Sequence, residues 1–349
     1  MSLATTSEVV DSSRPMLMPL IQGFMASRVI HIAAELGIAD LLADGTKTAE
    51  VLAERTGTHA PSLHRLLRAL ASLALLEEVE PSQFALTALG DQLRTGAPDS
   101  LRNFALMFGG ERSWRSWGDL LHSVRTGESA TQHLYGMGSF EYLAAHPQQA
   151  AIFNEAMAEV TRQVADALVA AYDFSPFRVI VDVGGGNGTL IAAILVAAPN
   201  LRGIVFDLPT GNAEAARKLE VAGVADRCEV LAGDFFRSVP NGADGYILKS
   251  VIHDWDDEQS IAILKNCRNA ISSNGKLLLV ERVMPTRMEG SRSNQRMAML
   301  DTHMLVMPGG RERTETEYRT LFAEARFKLT RVLRLPEAVG VSLIEALPA

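Results

Sequence analysis

One histidine in this chain stands where acid–base chemistry would be done. His253 lies a few residues beyond the run Gly245-Tyr246-Ile247-Leu248, in Lys249-Ser250-Val251-Ile252-His253-Asp254-Trp255-Asp256-Asp257. An imidazole with its ordinary pKa of about 6.5 can take a proton at neutral pH. Lone histidines are more often structural, and it is the place of this one that sets it apart. In open α/β sheets ligands bind beyond the carboxyl ends of the strands, and His253 follows such an end.

Three further strand ends carry polar residues. The first is Asp182-Val183-Gly184-Gly185-Gly186-Asn187-Gly188-Thr189, in which glycines let the backbone turn tightly and approach a ligand. The dinucleotide fingerprint would need a glycine where Thr189 stands, and no Gly-Lys-Ser/Thr ending marks a phosphate loop. The second is Asp207 in Val205-Phe206-Asp207-Leu208-Pro209, where a carboxylate can accept both hydrogen bonds of a ribose diol. The third is Gly233-Asp234-Phe235-Phe236, which offers a carboxylate for an adenine amino group and an aromatic ring to pack on the base. Together they point to an adenosine-containing ligand held without a pyrophosphate clamp.

The elements that must position these residues fall into two kinds. From residue 179 onward, β-rich runs (Val179–Val183, Ile204–Phe206, Glu229–Leu231, Gly245–Leu248, Lys276–Val280) alternate with helical stretches at Leu190–Ala198 and Glu258–Ile271. That grammar predicts an α/β domain with a doubly wound parallel sheet. The N-terminal part is different. Helices are expected at Met25–Leu36 with Gly37 as C-cap, at Thr48–Thr56 ended by Gly57, and at Pro61–Leu76. Two short strands around Pro81-Ser82 follow, and three helices with a small hairpin describe a winged-helix module. Residues 101–172 read as a helical connector whose aromatics, Phe104 to Phe153, either pack as core or wall a substrate pocket.

Composition excludes several classes. The chain has 349 residues, 47% apolar and 21% charged, so two globular domains are expected rather than a disordered or fibrous chain. No apolar run approaches the ~20 residues of a membrane span, and Met1 to Met16 lacks a basic signal-peptide start. Two cysteines, Cys228 and Cys267, build neither a disulfide framework nor a cysteine-rich zinc site. A cytoplasmic protein is the expectation. The net charge is −8, and Arg28–Arg94 holds six basic against nine acidic residues, so a nucleic-acid partner is disfavoured despite the winged-helix pattern.

Taken together, the glycine turn with Asp207, Gly233-Asp234-Phe235-Phe236, His253-Asp254-Trp255, Asn274-Gly275-Lys276 to Glu281, and Met307-Pro308-Gly309-Gly310-Arg311-Glu312-Arg313-Thr314-Glu315 resembles the S-adenosylmethionine-dependent small-molecule O-methyltransferases. The similarity is to the plant caffeate and isoflavone type and to bacterial antibiotic-tailoring relatives, over nearly the whole chain. It implies a winged-helix-like dimerisation domain at 1–105, a connector lining the substrate pocket at 106–172, and a Rossmann-like methyltransferase domain at 173–349. Gly184 and Gly186 would face the methionine part of S-adenosylmethionine, Asp207 the ribose, Leu208 the adenine edge, Asp234 and Phe235 the adenine, and Lys249 the cofactor. His253 would be the general base, flanked by Glu281 and Glu312, with Glu315 open as the alternative to Glu312. Asn154, Met157, Met304 and Leu305 are candidates for substrate contact, against ordinary packing for each.

The expected reaction is methylation of a phenolic hydroxyl of a small aromatic metabolite by a homodimer, leaving S-adenosylhomocysteine and needing no metal. His303 near Asp301 is the one weak metal pattern. The rivals are methylation of a nitrogen or a non-phenolic hydroxyl, a cofactor-binding relative without methyl transfer, and a winged-helix regulator. Ser250 stands where the plant enzymes carry Trp, so substrate class does not transfer with the resemblance.

Overall fold

The computed structural model describes residues 14–349, and side chains from residue 17 onward. The N-terminal stretch read for a leader lies, but for its last three residues, outside them. The chain divides into two compact units, Met1–Gly110 and Glu111–Ala349.

The first unit is built from helices around a small sheet. Helices Arg14–Ile21, Gly23–Glu35, Ala49–Thr56 and Ala60–Ser72 are joined by β1 (Lys47–Thr48), β2 (Leu76–Glu80) and β3 (Gln83–Leu86). The strands pair antiparallel in the order β1-β3-β2, with Pro81-Ser82 making the expected reversal. Thr48 starts its helix by accepting a hydrogen bond from the Val51 amide, and Gly57 ends it. Two expectations shift. Gly37 does not simply end a helix, because it opens the short helix Ile38–Leu41. The third helix stops at Ser72, where Ala74 turns left-handed and Leu75 N–H bonds back to the Leu70 carbonyl, and Leu76 already belongs to a strand. Leu52, Leu67, Leu70 and Phe84 fill the core of this unit. Leu17, Leu20, Ile21 and Met25, by contrast, stand exposed near its start.

In the second unit a run of helices from Glu111 to Ala171 precedes the large sheet. The division at Gly110 places nearly all of the stretch read as a connector in this unit. The sheet begins with β4 (Val179–Val183), β5 (Arg202–Asp207), β6 (Cys228–Ala232), β7 (Gly245–Lys249) and β8 (Lys276–Glu281). Two short strands outside it come next, β9 (Val283–Met284) and β10 (Arg313–Thr314). The chain then returns to the sheet with β11 (Phe327–Arg334) and β12 (Ser342–Pro348), for a strand order of β11-β12-β8-β7-β4-β5-β6. The five strands from β8 to β6 are parallel. The chain winds from β4 outward to β6, then crosses to β7 on the other side of β4. That reversal opens a crevice at the carboxyl ends of β4 and β7, the place where such sheets bind ligands. An antiparallel pair, β12 and β11, extends the sheet beyond β8 and was not expected. Its signal was present, since Phe327 and Leu329 alternate with exposed Lys328 and Thr330.

The parallel strands read as continuous apolar runs because both faces are covered, and Ile180, Val181, Ile247, Leu248, Leu278 and Leu279 are wholly buried. The short β9 pairs in parallel with β10, which draws residues 307–314 to the end of β8. Among the described residues no helix is long and apolar enough to cross a membrane. Leu278→Ala should lower unfolding free energy by about 2–5 kcal/mol, the range for a large core residue that leaves a cavity. Chemical denaturation of the two proteins checks it, and an unchanged midpoint would contradict the core assignment.

Candidate active site

The site begins where β7 ends. After Lys249, Ser250 adopts a left-handed conformation with φ 53°, and its amide bonds to the Val280 carbonyl at 3.1 Å. The next two amides, of Val251 and Ile252, both donate to Glu281 Oε1, at 2.9 and 2.8 Å. Glu281 is the last residue of β8, so a carboxylate on one strand holds the turn that leaves its neighbour. That turn is a single 3₁₀ segment, Ile252–Asp254, and it presents His253.

His253 is buried among three carboxylates. Its Nδ1 lies 3.0 Å from Glu312 Oε1 and 3.6 Å from Glu281 Oε2, and its Nε2 lies 3.6 Å from Asp254 Oδ1. Glu312 is locked in turn. Its amide donates to Asp301 Oδ1 at 2.8 Å, and Arg282 reaches its Oε1 at 3.3 Å. The segment carrying it is pressed against the histidine backbone. Arg311 N–H donates to the His253 carbonyl at 2.8 Å, and a Cβ on Gly310 would stand 2.1 Å from that same oxygen, so only glycine fits. Arg313, also fully buried, donates to the Ile252 and Trp255 carbonyls and to Asp257. Glu315, the alternative to Glu312, pairs instead with Arg319 on the exposed face of helix Glu315–Glu324.

Electrostatics follow from this packing. Burial alone opposes an imidazolium, but Glu281, Glu312 and Asp254 outweigh it and raise the His253 pKa to about 9. Burial likewise pushes Asp254 up to about 7 and Glu281 upward, against the pull of His253. Burial also opposes ionisation of Glu312, yet His253 and Arg282 together hold it below the ordinary carboxylate value. Glu281 Oε2 and Glu312 Oε2 are buried without a hydrogen-bond partner. Glu281, Glu312 and His253 each place a ligand atom within 4.8 Å of the others, a spacing a cation could also use.

The expected cofactor edge gathers at the neighbouring strand ends. Asp207, at the end of β5, accepts from the Gly186 amide at 2.8 Å and from the Leu208 amide at 2.7 Å. The carboxylate assigned to a ribose thus also fixes the glycine turn. Leu208 beside it is exposed. A Cβ on Gly184 would meet Val251 at 2.7 Å, which ties the turn after β4 to the one after β7. Asp182 Oδ2 and Asn187 Nδ2 are buried at this turn without partners, polar atoms that a polar ligand would satisfy. Asp234 accepts from the Phe236 amide, and Phe235 packs edge-on to Trp255 with ring centres 6.0 Å apart. Burial pushes Lys249 below its ordinary value, with Glu281, Asp182 and Asp254 opposing. All seven cofactor candidates therefore share one end of the sheet with His253.

The substrate candidates divide. Met304 is buried and Leu305 half-buried on helix Arg292–Val306, the helix whose Asp301 holds Glu312. Met157 is half-buried on helix Pro147–Ala171. Asn154 on that helix is committed elsewhere, donating to the Thr210 carbonyl in the loop after β5. Two contacts that the sequence does not signal lie on neighbouring elements. Phe140 stacks on Trp255 with ring centres 5.5 Å apart. His303 accepts from the Trp117 indole at 3.0 Å, and burial pushes it down to about 4, so it is neutral. Asp301 and His303 serve different partners and do not form the metal pattern their spacing suggested.

A family model described as the O-methyltransferase domain matches residues 117–328, and one described as the O-methyltransferase dimerisation domain matches residues 18–96. The chain belongs to the O-methyltransferase family. It is 48% identical to the phenazine O-methyltransferase PhzM of Lysobacter antibioticus, over 95% of each chain. The crystal structure of LaPhzM superposes with a TM-score of 0.92 at 48% identity, covering 97% of this chain and 99% of that one. A neocarzinostatin-biosynthesis O-methyltransferase, NcsB1, solved with S-adenosylmethionine and 2-hydroxy-5-methyl naphthoic acid, gives a TM-score of 0.79 at 32% identity, over the full length of both. The 8-amino-8-demethylriboflavin N,N-dimethyltransferase of Streptomyces davaonensis is 35% identical over 86% of each chain. This methyltransferase uses S-adenosylmethionine, and its Rossmann-like domain carries the residues just described.

The charge cluster sets a pH signature. In the folded methyltransferase His253 should titrate near about 9 by NMR of labelled imidazoles, and Glu312→Gln should move that value down. Because the folded pKa lies above the unfolded one, the imidazolium stabilises the fold fully below about 6.5 and loses that contribution as pH rises through about 9. A titration at the ordinary value in the intact protein would refute the cluster's role.

Proposed function

We propose that the enzyme methylates a phenolic hydroxyl of a small aromatic secondary metabolite, with His253 as general base. The observation that carries this reading is the buried imidazole with Nδ1 committed to Glu312 at 3.0 Å. In the neutral form that contact places the proton on Nδ1, so Nε2 is the nitrogen with a lone pair for an acceptor hydroxyl.

S-adenosylmethionine supplies a methyl group already activated by its positive sulfur and leaves as S-adenosylhomocysteine. The chain's own work is to position the acceptor oxygen in line and to remove its proton. Alignment of this kind is worth up to ~7–11 kcal/mol in favourable intramolecular cases. A phenol has a pKa near ~10, so a base within hydrogen-bond reach assists as the oxygen attacks. As the proton passes to His253 Nε2, Glu312 and Glu281 stabilise the imidazolium, in the manner of an orienting acid behind a catalytic histidine. Glu281 has a second duty, since its other oxygen holds the turn. Gly184, Gly186, Asp207, Leu208, Asp234, Phe235 and Lys249 would hold the methyl donor. Met157, Met304 and Leu305 would wall the acceptor, and Asn154, bound to Thr210, would brace the cofactor-side loop. No metal has a part in this scheme.

The first unit would make the homodimer. Its family model describes dimerisation, and its exposed Leu17, Leu20, Ile21 and Met25 form an apolar surface of the kind that marks a protein interface. A nitrogen acceptor is the second reading, supported by the N,N-dimethyltransferase among the relatives. It is separated by offering matched phenol and aniline acceptors in one methyl-transfer assay.

His253→Ala should retain S-adenosylmethionine affinity and lower turnover by roughly 10²–10⁴. Unchanged turnover would remove the base from the mechanism. With the base protonated below about 9, kcat/KM for the acceptor should rise with pH from neutrality toward that value. A profile flat over that range would point to positioning alone. Asp207→Ala should weaken S-adenosylmethionine binding in a calorimetric titration, and an unaltered affinity would show that the ribose lies elsewhere.

A further inference from the structure

A second group of metal-ligating side chains stands apart from the catalytic cluster. Helices Leu120–Thr126 and Ala130–Tyr135 are joined by the short turn Gly127-Glu128-Ser129. Gly127 ends the first helix, and the Ser129 hydroxyl starts the second by accepting from the Gln132 amide at 3.0 Å. This reversal brings His122 and His133 face to face, with ring centres 3.6 Å apart and planes within 6° of parallel. Asp119, just before the first helix, puts Oδ2 2.7 Å from His133 Nδ1. Glu128, in the turn, puts Oε2 2.9 Å from His122 Nε2.

Two imidazoles and two carboxylates therefore converge on one turn, with one nitrogen of each ring already facing a carboxylate oxygen, at 2.9 and 2.7 Å. A divalent ion can take the place of the protons shared between such donors and acceptors. Imidazole nitrogen and carboxylate oxygen are zinc ligands, and Asp119, His122 and His133 each offer one ligand atom within 4.8 Å of the others. Tetrahedral zinc with bonds near 2.0–2.1 Å sets its ligand atoms about 3.4 Å apart, so ligand atoms within 4.8 Å of one another need close by at most about 1.4 Å as the rings tilt out of their stack. Glu128 would then serve as the carboxylate that fixes a ligating imidazole.

We propose that Asp119, His122 and His133 form a zinc-class divalent cation site that clasps these two helices, with Glu128 as positioning residue. The proposal is independent of how methyl transfer proceeds. The test is calorimetric titration of tag-free, metal-stripped full-length protein with zinc chloride, alongside thermal unfolding. One saturable equivalent and a raised Tm are expected, with the affinity at least tenfold weaker in His122→Asn or His133→Asn. Circular dichroism checks that the variants fold, and Asp119→Asn is the milder substitute if they do not. His253→Ala should leave this binding intact. Three outcomes would overturn the proposal: no saturable binding, equal affinity in the His122→Asn, His133→Asn double variant, or loss of binding in His253→Ala. The last would move the ion to His253, Glu281 and Glu312.

Discussion

The site depends on one buried carboxylate accepting two consecutive backbone amides. Glu281 sits wholly inside the protein, where an uncompensated charge is costly. The surrounding arrangement supplies compensation. Val251 and Ile252 N–H satisfy one of its oxygens, and His253 faces the other. The left-handed Ser250 lets the chain turn sharply enough for both amides to arrive. The imidazole then carries a raised pKa because it closes a cluster of acids. Fold and chemistry meet in that single side chain.

The main features were legible in the sequence because they lie at the ends of strongly patterned elements. The glycine turn and His253 follow the continuous apolar runs of β4 and β7, which parallel strands buried on both faces leave. Asp207 and Asp234 follow the shorter apolar stretches of β5 and the edge strand β6. Less legible were features whose partners lie far along the chain. Nothing local to Gly310 shows that the His253 carbonyl will press against it, and nothing near Arg313 shows that it will hold the Ile252 and Trp255 carbonyls. The choice between Glu312 and Glu315 also needed the short pairing of β9 with β10, which fixes the register of the segment. Strand β11 is a different case, since the period-two alternation of Phe327 to Thr330 stands in the sequence itself. The third helix of the first unit is shorter than its pattern suggests because Leu73 to Leu76 continue an apolar run, while the chain turns at Ala74.

The two strand ends that flank the crevice, of β4 and β7, are mechanically joined. Asp207 braces the Gly186 amide, and Gly184 lies against Val251, the residue whose amide Glu281 holds. Donor and acceptor sides of a transfer reaction must be kept closely in line, and under the proposed function this contact chain would give them a common frame. The relatives share the fold while their names record different acceptors, among them a phenazine and an aminoriboflavin. The division fits a common need for alignment beside a variable wall.

The bond from the Glu312 amide to Asp301 has a consequence for the proposed acceptor wall. Asp301 belongs to the same helix as His303, Met304 and Leu305. A replacement there that slides or tilts the helix would also move Glu312, which faces His253. Under the proposed function, acceptor choice and the proton affinity of the imidazole are therefore coupled. Grafting a new specificity onto this helix would retune the acidity of the imidazole, and a second adjustment near Asp301 or Arg282 would have to restore it.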